Sequence, residues 1–222
     1  MATELGTIGI SVPLPDEPAR PGARLDLIPE EALHRPGAED RMEESLHTVP
    51  GATADTAFGG LGTAIQRRGF QVTRTRYDAL PDIQRLFVRD PATAEAVELV
   101  AGPSALLDGV TDPGGMIRYQ PLRPRFTEQT ELHLTAGSHR HRRLVADHTA
   151  PVGQDLAYRA TLAARDGRTD PGDFTTRRIH GRVAATWRYA PGARVRLAHE
   201  RQENRRPYLF GTVMPSDGIQ YG

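Results

Sequence analysis

Ala94-Glu95-Ala96-Val97-Glu98-Leu99-Val100-Ala101-Gly102-Pro103-Ser104-Ala105-Leu106-Leu107-Asp108-Gly109, continued by Asp112-Pro113-Gly114-Gly115-Met116-Ile117, is the stretch that decides the fold. A strand rich in Glu and Val runs into Gly-Pro, then a short apolar helical turn, then a Pro-Gly-Gly hairpin. Glu95 and Glu98 sit on opposite faces of such a strand. That argues against a shared acid–base site and for one buried and one exposed carboxylate. No catalytic motif lies nearby.

The rest of the composition agrees with a strand-rich chain. Hydrophobic residues make up 38% of the 222 and the mean hydropathy is −0.50. That is low for a compact two-layer globule and suits strands that alternate polar with apolar. Gly 22 and Pro 18 punctuate the chain too often for long helices. Formal charge is zero, which gives no global argument for nucleic acid. The first sixty residues are acidic, whereas residues 139–206 carry 15 Arg against 7 Asp plus Glu. There is no Lys, so every basic side chain is Arg. The absence of Cys removes disulfides, thiolate metal sites and Cys nucleophiles. No run of ~18 apolar residues supports a transmembrane helix, and Met1 to Val12 lacks the pattern of a signal peptide.

Residues 1–22, with Pro13, Pro15, Pro18 and Pro21, read as an extended linker. Ahead of the prolines, Thr7-Ile8-Gly9-Ile10-Ser11-Val12 has a period-2 β pattern. Residues 23–124 read as mixed α/β. Arg24 to Ile28 is a short strand, Pro29-Glu30-Glu31-Ala32-Leu33 opens a helical turn with Pro at N1, and Glu39 to His47 is a second helix with Met42 and Leu46 on one face. Thr63 to Phe70 is a further strand. From Arg125 the texture changes. Leu156, Tyr158, Ala160, Leu162 and Ala164 share one parity, and Arg159, Thr161 and Arg165 the other. Val183, Ala185, Trp187 and Tyr189 repeat this against Arg182, Thr186 and Arg188. Segments of ~10 residues with apolar-out, polar-in alternation mark a transmembrane β-barrel, although a half-buried soluble meander alternates likewise. Ala150 to Gln154 and Ala190-Pro191-Gly192 are short connections, whereas Asp166 to Arg178 reads as a longer polar loop. Short turns alternating with long loops favour the barrel.

Taken in order, Val49-Pro50-Gly51, Arg68-Gly69-Phe70, Val97-Glu98-Leu99, Gly102-Pro103, Pro113-Gly114-Gly115, Arg123-Pro124 and the hairpins around Tyr158-Arg159 and Trp187-Arg188 resemble TonB-dependent outer-membrane siderophore receptors over roughly residues 23–211. The resemblance implies an α+β plug, a small mixed sheet with short helices, followed by an antiparallel β meander that begins a transmembrane β-barrel. It divides the chain into a linker at 1–22, a plug at 23–124 and barrel strands at 125–222. Thr7, Ile8, Gly9, Ile10, Ser11 and Val12 would be the TonB box, which adds as a strand to the partner TonB. Arg68 and Arg123 would be plug arginines that pair with acids of the barrel wall. The ligand would be a ferric siderophore or similar chelate, the location the outer membrane and its lipid. No cofactor and no covalent chemistry are implied, and Arg-rich inward faces would suit an anionic chelate.

The chain departs from the family pattern at several places. Asp78-Ala79 stands for Asp-Gly, Asp108-Gly109 for Tyr-Gly, Arg118 for Asn after the Gly-Gly turn, and Leu122-Arg123-Pro124 for Lys-Arg-Pro. About five barrel strands are legible where such transporters use about 22. A truncated or degenerate copy is therefore expected, and a soluble plug-like interaction module without transport is the alternative.

Other constellations are weaker. His133, His139, His141 and His148 lie close together and His139 and His141 share a face if extended, but no carboxylate or Cys completes a metal set, so a solvated basic loop is favoured. Gly59, Gly60, Gly62, Gly114 and Gly115 are turn glycines, because no Gly-Lys-Ser/Thr follows them. Arg68 to Val72 resembles an RNA-binding strand only distantly, and its second aromatic strand is absent.

Overall fold

A computed structural model describes residues 2–11, 24–33, 46, 49–57, 62–78, 80–82, 89–101, 112–169 and 174–206. Three sheets organise them. β1 (Ala2–Ser11), β10 (Gln129–Ala136), β11 (Arg142–Val152), β12 (Leu156–Thr169), β13 (Phe174–Ala190) and β14 (Ala193–Arg205) form a six-stranded antiparallel sheet in the order β1-β14-β13-β12-β11-β10. β2 (Arg24–Pro29), β6 (Thr75–Tyr77), β7 (Leu80–Pro81), β8 (Ala94–Ala101) and β9 (Met116–Pro121) form a five-stranded sheet in which β6 and β9 run parallel. β3 (Ala52–Ala57), β4 (Gly62–Arg67) and β5 (Phe70–Val72) form a third.

Helix is scarcer than the expected plug implies. Among the described residues it amounts to α1 (Glu30–Leu33), a 3-10 turn at Pro91–Thr93 and an isolated 3-10 residue at Leu46. The expected helix over Glu39 to His47 otherwise lies outside the described residues, as do Ser104 to Leu107. The plug core joins the two smaller sheets. Ile28, Leu33, Leu46, Ile65, Val97, Leu99 and Ile117 are all buried in it, each worth about 1.5–3 kcal/mol of transfer from water. Met42 and Leu106, expected beside them, lie outside the described residues.

The meander's two faces differ as the alternation requires. Tyr158, Leu162, Val183, Trp187 and Leu197 are exposed on one side. Arg143, Arg159, Thr161, Arg178, Arg182 and Arg196 are buried on the other, against the plug. Two features differ from expectation. The polar stretch from Asp166 to Arg178 is mostly ladder, since Arg165 pairs with Arg178 and Thr169 with Phe174. Strands whose residues are polar on both faces lack the alternation that marks a strand in sequence. The second is the expected linker, whose first part is β1, paired with β14 from Ala2↔Arg205 to Ser11↔Arg196.

Candidate site: the seat of the smaller sheets on the six-stranded sheet

The strand period turns Arg143 of β11, Arg159 of β12, Arg178 and Arg182 of β13 and Arg196 of β14 to the inner face, and plug carboxylates meet them there. Asp90 precedes the 3-10 turn and accepts from Ala92 N at 3.0 Å, which caps that turn. Its carboxylate also takes two hydrogen bonds from Arg143, at 2.9 and 2.6 Å, and one from Arg178 at 3.4 Å. Its N–H donates to Gln202 Oε1 at 3.1 Å. Burial alone would push the Asp90 carboxyl up. The Arg143 hydrogen bonds and the charges of Arg143, Arg178 and His180 outweigh it and hold the group well below the usual carboxylate range.

Glu200 on β14 is a second hub. It accepts from the Tyr77 hydroxyl and from Arg89 at 3.0 Å, and His180 Nε2 and Arg182 Nε lie 3.1 and 3.7 Å away. Arg89 stacks 4.1 Å above the Tyr77 ring and also binds Asp82. Burial and the Glu200 charge push the Tyr77 phenol far up, so it donates as a neutral group. Burial would lower Arg89, but Asp82 and Glu200 more than offset it and the guanidinium stays charged.

Three further contacts close the seam. Arg159 is bound by Asp147 of its own sheet at 2.9 Å, lies 3.7 Å from Glu30 of α1 and donates to the Arg123 carbonyl at 3.3 Å. Arg182 donates to the Leu122 carbonyl at 2.7 Å. Arg196 donates to Asp78 at 3.3 Å. Asp78 carries φ +57°, so a residue that tolerates this conformation stands where the family's Asp-Gly does.

The two arginines singled out in the sequence, Arg68 and Arg123, lie outside these hubs. Arg67-Arg68-Gly69-Phe70 is a two-residue hairpin turn with φ +51° at Arg68 and +82° at Gly69. Arg68 is therefore exposed at its tip, and no contact between its side chain and the barrel sheet is found among the described residues. The buried guanidinium is its neighbour Arg67, bound to Asp26 of β2 inside the plug. The Arg123 side chain is 41% exposed and lies 3.9 Å from Glu95 of β8; its backbone carbonyl is what meets the wall. The acids expected to pair with Arg68 and Arg123 belong to later strands than β14, so that pairing stays an expectation. Within this chain a plug arginine, Arg89, meets Glu200 of the meander, and elsewhere the polarity is reversed, with meander arginines reaching Asp90, Asp78 and Glu30. Thr7 to Ser11 lie in β1, and Val12 lies outside the described residues.

Glu98 is buried with Arg118 and Gln120, while Glu95 is partly exposed. His133 sits 3.3 Å from Glu131, and His148 bonds Thr130 and Tyr158. No group of three or more His, Asp or Glu converges on a common point among the described residues.

Comparison with known proteins places this arrangement. The family model described as TonB-dependent Receptor Plug Domain matches residues 21–116. The metal-pseudopaline receptor CntO of Pseudomonas aeruginosa is 29% identical over 183 residues, covering 81% of this chain and 26% of that protein. The ferrioxamine receptor of Yersinia enterocolitica is 26% identical over 192 residues, covering 82% and 27%. The chain thus spans about a quarter of the length of these relatives. Among solved structures, P. aeruginosa FpvA bound to heterologous pyoverdines superposes with a TM-score of 0.78 at 17% identity, covering 92% of this chain and 29% of that one. The ferric-catecholate import receptor Fiu of E. coli K12 gives 0.71 at 23% identity, covering 82% and 27%. These two likenesses concern the fold.

Proposed function

We propose that this chain, which belongs to the TonB-dependent receptor family, serves uptake of a metal chelate of the ferric-siderophore kind across the outer membrane. The observation that carries the reading is the seat itself. A plug rests on the polar, Arg-rich face of a sheet whose opposite face is mostly apolar, with His148, His199 and Arg201 as polar exceptions, and a sheet with those two faces suits a barrel wall between lipid and lumen. Relatives named as metal-pseudopaline and ferrioxamine receptors support the chelate class.

The role involves binding and movement, with no covalent step. The inner-face arginines hold the plug, so they are not standing open for an anionic chelate, and the ligand would touch other surfaces. TonB is the energising partner in this reading. β1 is the outermost strand of its sheet, so its far edge offers unpaired N–H and C=O groups to an added strand.

A chimera tests the proposal. Residues 21–206 replace the corresponding segment of the Yersinia ferrioxamine receptor, and the chimera is expressed in cells lacking their own receptor. Ferric-chelate uptake that disappears when TonB is deleted is the expected result. A chimera that reaches the outer membrane folded, yet gives no uptake above background with any of a panel of ferric siderophores, would overturn it.

A further inference from the structure

The outward face of the meander is not the same at its two rims. At the rim of the short turns it carries Tyr158, Trp187 and Tyr189, with the Trp187 and Tyr189 rings 5.9 Å apart. At the other rim the cross-strand register lines up Arg142, Asp166, Arg177 and Arg205 on four adjacent strands, all exposed. One row inward, the register continues with Leu144, Ala164, Ile179 and Glu203, and Leu134 flanks Leu144 on β10. Arg205 is partly neutralised by Glu203 at 2.6 Å. A shallow groove of about 430 Å³ lies over this corner between Leu134 and Ile179, and a smaller one of about 230 Å³ adjoins it between Arg177 and Arg205.

The spacing of the two rims is informative. Trp187 and Arg177 are ten residues apart on β13. At ~3.3 Å per residue that is about 33 Å of strand. Tilted by ~40°, it rises about 25 Å, the height of an outer-membrane apolar band. The arginine row therefore stands one full band above the aromatic girdle, at headgroup depth. It is also the rim where the strands run on as polar ladder. The connections there, 137–141 and 170–173, are five and four residues long, against three and two at 153–155 and 191–192, and in outer-membrane barrels the shorter turns are periplasmic.

We propose that Arg142 and Arg177, with Asp166 between them, form a binding site for the phosphate groups of an outer-leaflet amphiphile whose acyl chains lie on Leu134, Leu144 and Ile179. Guanidinium forks match phosphate oxygens bidentately. Aromatic side chains anchor a zwitterionic interface without selecting charge. Among the described residues the outward face carries no arginine at the aromatic rim, so the arginines of the other rim suit a leaflet whose lipid carries phosphate charge not neutralised within its own headgroup. The inference rests on the barrel-wall reading, and the experiment separates the two.

The chimera with the Yersinia ferrioxamine receptor, which supplies the strands that close the barrel, is reconstituted in bilayers of phosphatidylcholine. Trp187 is the only Trp that this chain contributes, and the part of the quenching by brominated acyl chains that W187F removes reports whether this face meets lipid. A W187F chimera quenched as fully as its parent would sink the barrel-wall reading and the proposal with it. With quenching in place, diphosphorylated lipid A is titrated in, beside the same lipid stripped of phosphate and beside inorganic phosphate. At least tenfold tighter binding of the phosphorylated lipid is expected. The doubly substituted R142Q/R177Q chimera should lose that preference while keeping the quenching, and R194Q at the opposite rim should change nothing. Equal binding of both lipids, a preference that survives R142Q/R177Q, or displacement by inorganic phosphate would each overturn the proposal.

Discussion

Replacing Asp90 by Asn would leave Arg143 and Arg178 facing each other with no carboxylate between them. Breaking a buried pair from one side costs about 3–5 kcal/mol, and the loss should appear as earlier release of the plug from the meander in urea. Arg67→Ala should also destabilise, because it removes a buried guanidinium bound to Asp26, whereas Arg68→Ala at the exposed turn should stay within about 0.5 kcal/mol. The contrast is readable in one denaturation series. The sign of the pH dependence follows from Asp90. Its carboxyl is lower in the folded chain than the ordinary value of about 3.9. Its contribution is therefore fully present above that ordinary value and is lost as pH falls through the folded one. The seat should be insensitive to pH between about 5 and 8 as far as Asp90 is concerned and weaken only in strong acid. D90N should lose that acid-dependent part, which tryptophan emission against pH would show. The sequence revealed the arginines by their parity but not their partners, because Asp90 and Arg143 are 53 residues apart and only docking brings them together. The burial of Arg67 has a local cause. It shares its parity with buried Ile65 on β4, and the strand ends there, three residues before Phe70, which leaves Arg68 in the turn.

Asp112-Pro113-Gly114-Gly115 shows how an element is held by details a pattern does not display. Asp112 accepts from Thr73 N and Oγ1 at 2.5 and 2.6 Å and from Arg74 N at 3.0 Å, tying this turn to the link between β5 and β6. Burial is the largest single influence and pushes its carboxyl up, but those hydrogen bonds and the Arg74 charge together outweigh it and keep the group below the ordinary value. A Cβ on Gly114 would stand 3.0 Å from the Phe70 carbonyl oxygen and from Val72 Cγ2. G114A should therefore cost about 1–3 kcal/mol through forced shifts, checked by the urea midpoint against wild type. On β12, Leu162 lies four residues inward from Tyr158, near the middle of the apolar band. Leu162→Arg should cost about 2–4 kcal/mol of bilayer stability, whereas the same change at Leu132 toward the sheet edge tests whether that strand meets lipid as well. The strands of the meander were legible because one face is apolar and the other is not. The ladder from Asp166 to Arg178 was hidden because there both faces are polar.

The whole molecule, expressed as these 222 residues alone, should not transport. Its six-stranded sheet ends in β1 and β10, and the outer edge of each leaves N–H and C=O groups that cost several kcal/mol apiece in hydrocarbon. Six strands cannot close around a plug that about 22 normally surround. Iron-chelate uptake by receptor-deficient cells expressing only this chain with an export signal should stay at background, and TonB-dependent uptake would refute the expectation. At this scale the sequence disclosed the plug followed by a meander, yet it did not disclose that β1 joins the meander, since alternation identifies a strand without identifying its neighbour. That neighbour has a mechanical meaning. Ala2 lies opposite Arg205 at the polar rim and Ser11 opposite Arg196 near the short turns. A tug along the strand axis would load all ten pairs in shear together, whereas a tug across the axis at Ser11 would unzip them one after another. The same ladder is thus a stiff tether in one direction and a tear strip in the other, and the angle of pull, more than its strength, would decide whether β1 lets go.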